Sequence, residues 1–144
     1  MKKVLPLGEN AFVTTRHFGL HLKDTEELSD TANQKKFVEL LSASGVHAPR
    51  RFAYLNQVHG SRVATIDAVS AAFTRLAETD AVITDLKGLG LLVMTADCLS
   101  VFFLADDWVG LAHAGWRGTQ EGIARKTLQA IALRSGLNPK DVKI

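Results

Sequence analysis

The sequence predicts an α+β fold, a mixed α/β sheet with flanking helices, in a single domain over residues 1–144. Short β-branched and aromatic runs bounded by turn residues recur along the chain, as at 51–55 and 81–84. Apolar residues at helical spacing predict helices within 28–45 and 119–135. The length of 144 residues, with 47% hydrophobic and 22% charged residues, suits one globular domain with a sizeable core.

In the N-terminal third, residues 11–15 are β-branched and aromatic and predict the first strand. Asp24 followed by Glu27 is typical of a capping box, in which the first residue caps a helix and the second bonds back to it. The helix that follows should end near Gly45. Its apolar stripe is imperfect around 33–36, which predicts a break there.

The remainder of the chain is dominated by predicted strands. Strand 51–55 leads into the turn 56–60, strand 62–66 returns from it, and 67–79 is predicted to be a helical or irregular connection. The later elements, in order, are strand 81–84, turn 87–90, strands 91–94 and 99–104, strand 109–112, a turn over 115–118, helix 119–135 ending at Gly136, and a strand that begins at 141.

Composition excludes several classes of protein. The net charge is only +2, from 17 basic and 15 acidic residues. The sequence contains no basic run with interleaved aromatic residues, so we expect no nucleic-acid partner. The single cysteine cannot form an internal disulfide. The first apolar run is broken by Pro6, and no apolar stretch reaches transmembrane length, so we expect a cytoplasmic protein with no membrane partner.

Three strand ends or turns each offer one metal-ligating side chain: His59, Cys98 and His113. Rigid strands present functional groups at such places. The wide spacing differs from the close ligand pairs of a zinc finger. A buried cysteine acting as a small hydrophobe, with two hydrogen-bonded structural histidines, explains the same residues. Spacing alone leaves both interpretations open.

The segments around these residues resemble a known family. NQVHG at 56–60, TADC at 95–98 and HAGWRG at 113–118 are similar to the signature segments of the laccase-like polyphenol-oxidase family. Its members are regarded as zinc-dependent purine nucleoside phosphorylases and include the peptidoglycan editing factor. Weaker similarities at 14–16, at 79–84 and in the helix with Asn33 extend the resemblance over nearly the whole chain.

The resemblance implies that His59, Cys98 and His113 bind one zinc ion. Three protein ligands leave the fourth tetrahedral position open, which is the pattern of a catalytic zinc. Such an ion lowers the pKa of a bound water or polarises a substrate oxygen. Cys98 would bind as the thiolate, because the metal enforces its deprotonation.

Five further residues are predicted to surround the zinc. Asp97 is interpreted as a catalytic base, as an orienting partner for a histidine, or as a turn residue. Gln57 is interpreted as a partner of the substrate base or of its own turn. Arg117, before a predicted helix start, suits a phosphate, although pairing with a carboxylate explains it too. Arg16 and Asn33 complete the predicted substrate-binding set.

The sequence departs from the family in three respects, of which the first is that residues 17–22 replace the glycine pair and Asn-Leu that usually follow Thr-Thr-Arg. Gln34 follows Asn33 where the family usually has arginine, so Arg16 or a neighbouring lysine would have to supply the phosphate contact. The chain ends at Ile144 where family members continue, which predicts a C-terminally truncated copy of the domain. Apolar strands 91–94 and 99–104 would then favour self-association or packing against a missing segment.

The resemblance implies a zinc-dependent enzyme for which the partners are small molecules, a nucleoside and phosphate. The reactions would be phosphorolysis of adenosine, inosine or guanosine, with deamination of adenosine. A copper-dependent phenol oxidase is a second interpretation; five histidines cannot furnish a multicopper centre, but a single Cu²⁺ suits two histidines and a cysteine. A third is a hydrolase that edits peptidoglycan precursors, and a fourth is a non-catalytic, truncated zinc-binding relative.

Overall fold

The computed structural model describes residues 4–6, 12–14, 20, 22–23, 25–47 and 49–144. These fall into two compact units, residues 1–48 and residues 49–144. The predicted mixed α/β fold class is confirmed. That 1–144 is the N-terminal portion of a longer domain stays a prediction.

In the first unit, β1 (Val4–Pro6) pairs antiparallel with β2 (Phe12–Thr14), and the predicted first strand corresponds to β2. A 3-10 helix, Thr25–Ser29, precedes the helix α1, Thr31–Ala43. The helix start differs from the prediction. Asp24 lies outside the described residues, and the cap is Asp30, whose carboxylate accepts the N–H groups of the first turn at 2.8 and 3.1 Å.

Helix α1 is also continuous across 33–36, so the predicted break is wrong. The chain turns out of regular helix at Asp30 instead, between the 3-10 helix and α1. The end near Gly45 is confirmed. Phe37 and Leu41 form the buried face of the helix.

The second unit contains two sheets and two α-helices. Its elements are β3 (Arg51–Leu55), β4 (Val63–Ile66), β5 (Phe73–Leu76), β6 (Ala81–Thr84), β7 (Leu89–Leu92), β8 (Leu99–Ala105), β9 (Trp108–Ala114), α2 (Trp116–Gln120), α3 (Ile123–Ser135) and a 3-10 turn, Pro139–Asp141. One sheet has the order β5-β3-β7 and is parallel. The other has the order β4-β6-β9-β8, with β4 parallel to β6 and the other pairs antiparallel.

The chain passes from the first of these sheets to the second three times, between β3 and β4, between β5 and β6, and between β7 and β8. The strand directions place all three connections at the same edge of the two sheets, where β3, β5 and β7 end and β4, β6 and β8 begin. Two predictions are therefore wrong. Strand 62–66 does not return alongside 51–55 but joins the other sheet, and the connection 67–79 contains a strand, β5.

Both faces of the four-stranded sheet are covered. Val82 and Leu111 face the three-stranded sheet, where they pack with Leu55 of β3, while Ile83 and Ala112 face the helix α3. This alternation follows from the period of two in a strand. Because each face meets a hydrophobic layer, every residue of β6 is buried.

At the C-terminal end, the predicted helix 119–135 is two helices, because Gly122 adopts a left-handed conformation (φ 78°) between α2 and α3. The end at Gly136 is confirmed. The strand predicted from 141 is reduced to one bridge between Lys143 and Leu104. Strand β7 begins two residues earlier than predicted, at Leu89.

Two leucines of β8, Leu99 and Leu104, are exposed, and self-association of the chain stays a prediction. No helix in the described part of the chain combines the length and apolarity needed to cross a membrane.

Replacing Ile131 with alanine should destabilise the second unit by about 2–5 kcal/mol, because this wholly buried side chain fills the layer between α3 and the sheet. Denaturant unfolding monitored by circular dichroism measures the loss. Leu133→Ala is the control, since Leu133 lies on the same helix with 84% of its surface exposed. Equal losses in the two variants would contradict the assignment of this core.

Candidate metal centre

The structure brings His59, Cys98 and His113 together at the edge where the three connections between the sheets lie. His59 follows β3, Cys98 directly precedes β8, and His113 is near the end of β9. One ligating atom from each lies within 4.8 Å of the others. The two imidazole rings meet edge to face, with centroids 4.8 Å apart and planes at 82°. The predicted cluster is therefore a group that could hold a metal ion.

The three side chains differ in burial. His113 is 2% exposed, Cys98 is half-buried and His59 is exposed, so the cluster opens to solvent on the side of His59. Burial raises the pKa of the Cys98 thiol, and the carboxylates of Asp97 and Asp80 raise it further. A thiol with a raised pKa keeps its proton at neutral pH until a metal cation displaces it.

Asp80 is the residue of this centre that the sequence analysis missed. Its carboxylate is wholly buried, and its Oδ1 lies 2.9 Å from Nδ1 of His113. Asp80 also joins the same strand through the main chain, because its carbonyl accepts the N–H of His113 at 2.7 Å. The available signal was a charged residue directly before the largely apolar strand 81–84.

The same carboxylate also holds the loop that carries the other histidine. Its Oδ1 accepts the N–H of His59 at 3.0 Å, while Oδ2 accepts those of Val58 at 3.1 Å and Gly60 at 2.9 Å. Three successive N–H groups around one anion form a backbone nest. His59 has a positive φ of 60°, which turns the three amides inward.

Gln57 links two of the connections between the sheets. Its Nε2 donates to the carbonyl of Met94 at 2.7 Å, and its Oε1 accepts the N–H of Met94 at 2.9 Å. Both ends of the amide are thus engaged with the segment that leads to Cys98. Met94 lies outside the turn 56–60, so this contact differs from both interpretations of Gln57, and its predicted catalytic role stays a prediction.

Two glycines permit the close packing of the segment after β9. A Cβ on Gly115 would lie 2.9 Å from Cδ2 of His59, 3.4 Å from Sγ of Cys98 and 3.5 Å from Cε1 of His113. A Cβ on Gly118 would lie 2.5 Å from the carbonyl oxygen of Gly60. The backbone at Gly115 therefore lies beside the cluster, where a side chain would contact all three candidate ligands.

Asp97 is exposed, with Oδ1 3.8 Å from the Cys98 sulfur. The described contact of His113 is with Asp80, and a role of Asp97 as base stays a prediction. Arg117 lies inside α2 rather than before a helix start, and its guanidinium is 5.0 Å from the centre of the exposed Trp116 ring. Its phosphate contact also stays a prediction.

The remaining substrate-binding predictions fall in the first unit. Asn33 is in the first turn of α1, where its amide donates to the carbonyl of Glu27 at 2.9 Å. Gln34 donates in the same way to the carbonyl of Leu28 at 2.7 Å. Arg16 lies outside the described residues. The roles of Asn33 and Arg16 at the site stay predictions.

The donor set fits zinc. Two imidazole nitrogens and one sulfur are ligands that Zn²⁺ prefers, at bond lengths of about 2.0–2.3 Å. Tetrahedral bonds of that length separate ligand atoms by about 3.3–3.8 Å. The separations here, within 4.8 Å, need only a small contraction. The exposed ring of His59 has the freedom to supply it.

Known proteins are similar to this chain over most of its length. The profile of the family described as multi-copper polyphenol oxidoreductase laccase matches residues 10–144. A purine nucleoside phosphorylase of Xylella fastidiosa is 37% identical over 103 residues, covering 69% of this chain and 38% of that protein. One of Mycobacterium tuberculosis is 33% identical over 131 residues, covering 89% of this chain and 49% of that protein.

Solved structures of similar sequence have the same fold. YlmD from Geobacillus stearothermophilus superposes with a TM-score of 0.68 at 29% identity, over 87% of this chain and 48% of that one. Neisseria meningitidis protein NMB0706 gives a TM-score of 0.68 at 28% identity, over 98% of this chain and 60% of that one. The chain spans less than half the length of the curated relatives it matches. With the profile match over 10–144, these findings show that the chain belongs to the laccase-like family described as multi-copper polyphenol oxidoreductases.

Proposed function

We infer that this chain carries the zinc site of an enzyme that acts on purine nucleosides. The observation that carries the proposal is the convergence of His59, Cys98 and His113, whose ligating atoms lie within 4.8 Å of one another. The names of the relatives, purine nucleoside phosphorylases, supply the substrate class. Three ligands in a partly open cluster suit a catalytic rather than a structural ion.

His59, Cys98 and His113 would hold the ion, which when bound lowers the pKa of a water or polarises a substrate oxygen. Asp97 is exposed beside Cys98, where its carboxylate can accept a proton from a water or substrate. Trp116, 69% exposed and three residues after His113, offers an indole face on which a purine can stack. Arg117 next to that ring offers a positive charge for phosphate.

Two reactions suit these groups to different degrees. Deamination of adenosine needs a water, an electrophile and a proton acceptor, and gives inosine and ammonia. Phosphorolysis also needs bound phosphate, which attacks the ribose carbon and releases the free base with ribose 1-phosphate. Arg117 is the described candidate for that contact, with Asn33 and Arg16 as further proposals.

Copper is the second candidate ion, because divalent-metal affinity generally favours Cu²⁺ over Zn²⁺. The family description refers to multicopper chemistry. Within the described residues only two histidines enter this cluster, which supports a single-ion centre. Metal analysis of freshly purified protein separates the two ions.

Purified protein should contain about one zinc per chain, and Cys98→Ser should lose most of it while keeping its unfolding transition. Mass spectrometric metal analysis measures this. His47→Ala is the control, because His47 is an exposed histidine outside the cluster. One copper per chain would favour a phenol oxidase, and full zinc retention by Cys98→Ser would contradict the site.

Gly115→Ala should weaken zinc binding, since the new methyl group would lie 2.9 Å from the His59 ring and force it away. Chelator competition measures the affinity, and thermal unfolding measures the fold. Thr119→Ala, an exposed change in α2, is the control. Wild-type affinity in a folded Gly115→Ala protein would contradict the close approach of this backbone to the ligands.

Zinc-loaded protein should convert adenosine to inosine without phosphate, and should release hypoxanthine from inosine only when phosphate is present. Chromatography of the products measures both reactions. Cys98→Ser is the negative control for each. Turnover of a peptidoglycan precursor alone would favour an editing hydrolase, and zinc binding with no turnover of any substrate would favour a non-catalytic relative.

A further inference from the structure

We propose that Asp80 is the positioning residue of the metal centre: it presents Nε2 of His113 to the ion and sets the backbone turn that carries His59. The proposal rests on the metal site inferred above. Asp80 is placed neither among the ligands nor in the predicted set of surrounding residues. Its role follows from four hydrogen bonds to one buried carboxylate.

Asp80 determines the tautomer of His113 through the contact between Oδ1 and Nδ1. An ionised carboxylate can only accept hydrogen bonds, so the ring nitrogen 2.9 Å from Oδ1 of Asp80 must carry a proton. A neutral imidazole with a proton on Nδ1 has its lone pair on Nε2. His113 is only 2% exposed, so water does not replace Asp80 as the partner of this nitrogen. Asp80 thereby selects both the orientation and the ligating atom.

Asp80 also holds the loop 58–60, which carries His59. A carboxylate offers about four lone-pair sites, and here each receives one N–H group, from His113, Val58, His59 and Gly60. The three loop amides converge only because His59 has a left-handed backbone, which is uncommon for a residue other than glycine. The anion compensates the cost of that conformation. One side chain therefore fixes the relative position of two ligands that are 54 positions apart in sequence, 59 and 113.

An amide cannot replace this carboxylate. Asparagine has one acceptor oxygen and one donor group, and its NH₂ would face N–H donors on at least one side. Asp80→Asn should therefore keep the volume of the side chain but release either the His113 ring or the loop amides. Loss of such a partner behind a ligating histidine typically lowers metal affinity about 10- to 100-fold.

The test combines two measurements. In metal-free wild-type protein at alkaline pH, ¹⁵N spectra of the imidazole should show His113 with its proton on Nδ1. In Asp80→Asn, zinc affinity from chelator competition should fall about 10- to 100-fold. Thr84→Val is the matched control, because Thr84 is another wholly buried polar residue of the 80–84 segment whose hydroxyl donates to the Ile66 carbonyl at 2.8 Å. That control should lower the unfolding temperature and leave zinc affinity unchanged.

A His113 proton on Nε2 in the wild-type protein would overturn the proposal, and so would wild-type zinc affinity in a folded Asp80→Asn variant. Equal affinity losses in Asp80→Asn and Thr84→Val would also overturn it, by showing a merely structural effect. If Asp80→Asn does not fold, the wild-type spectrum still decides whether Asp80 holds the ring. A wild-type protein that binds no zinc would contradict the proposed function, whereas the tautomer is read without metal.

Discussion

The arrangement of the metal centre depends on one buried carboxylate, that of Asp80. An ionised group removed from water is costly unless every lone pair finds a donor. Here four N–H groups supply them, three from a single loop and one from the ring of His113. The cost of burying this carboxylate is offset only when all four N–H groups are in place. The loop 58–60 and the strand β9 can therefore adopt only one relative position. Two of the three candidate ligands are fixed by the same constraint.

The fold brings the partners of this carboxylate to one place. Three times the chain leaves the carboxyl end of a strand in the three-stranded sheet and enters the start of a strand in the four-stranded sheet. All three connections meet at one edge; they carry His59, Asp80 and Cys98. Strand β9 runs antiparallel to its neighbours and ends at that edge, so it delivers His113 from the opposite direction. Layers buried on both sides keep this edge rigid, which a preorganised site requires.

The three candidate ligands could be identified from the sequence because each sits in a short segment that resembles a signature of the family. Residues 56–60, 95–98 and 113–118 each combine a turn with one ligating side chain. The strands β6, β8 and β9 could be predicted for a similar reason, since short and largely hydrophobic runs indicate buried strands. Strand β5 was missed because its four residues, Phe73–Leu76, include a charged arginine and give too short a signal.

The hydrogen bonds that hold the candidate ligands in place could not be predicted, because they join residues that are remote in sequence. Asp97 was considered as an orienting partner for a histidine on the basis of its position beside Cys98. The aspartate that contacts His113 is instead 33 positions away in sequence. Likewise Gln57 meets Met94 across 37 positions, a pairing that follows only from where the connections between the sheets cross. Sequence adjacency is a weak guide here, because neighbouring side chains in extended segments point to opposite sides.

Metal binding and catalysis make different demands on this centre. The inner side is supplied by the buried His113, by Asp80 and by the backbone of Gly115, all within the second unit. The outer side is open: His59 is exposed, and so are large apolar side chains near the ligands, Val58, Leu99 and Trp116. Holding an ion needs only the inner side and three donors. The proposed chemistry on a nucleoside would also need water to be excluded around the reacting atoms, so it would depend on what covers those apolar side chains. A purine stacked on Trp116 would itself provide part of that cover, which links occupancy by substrate to the shielding of the ion.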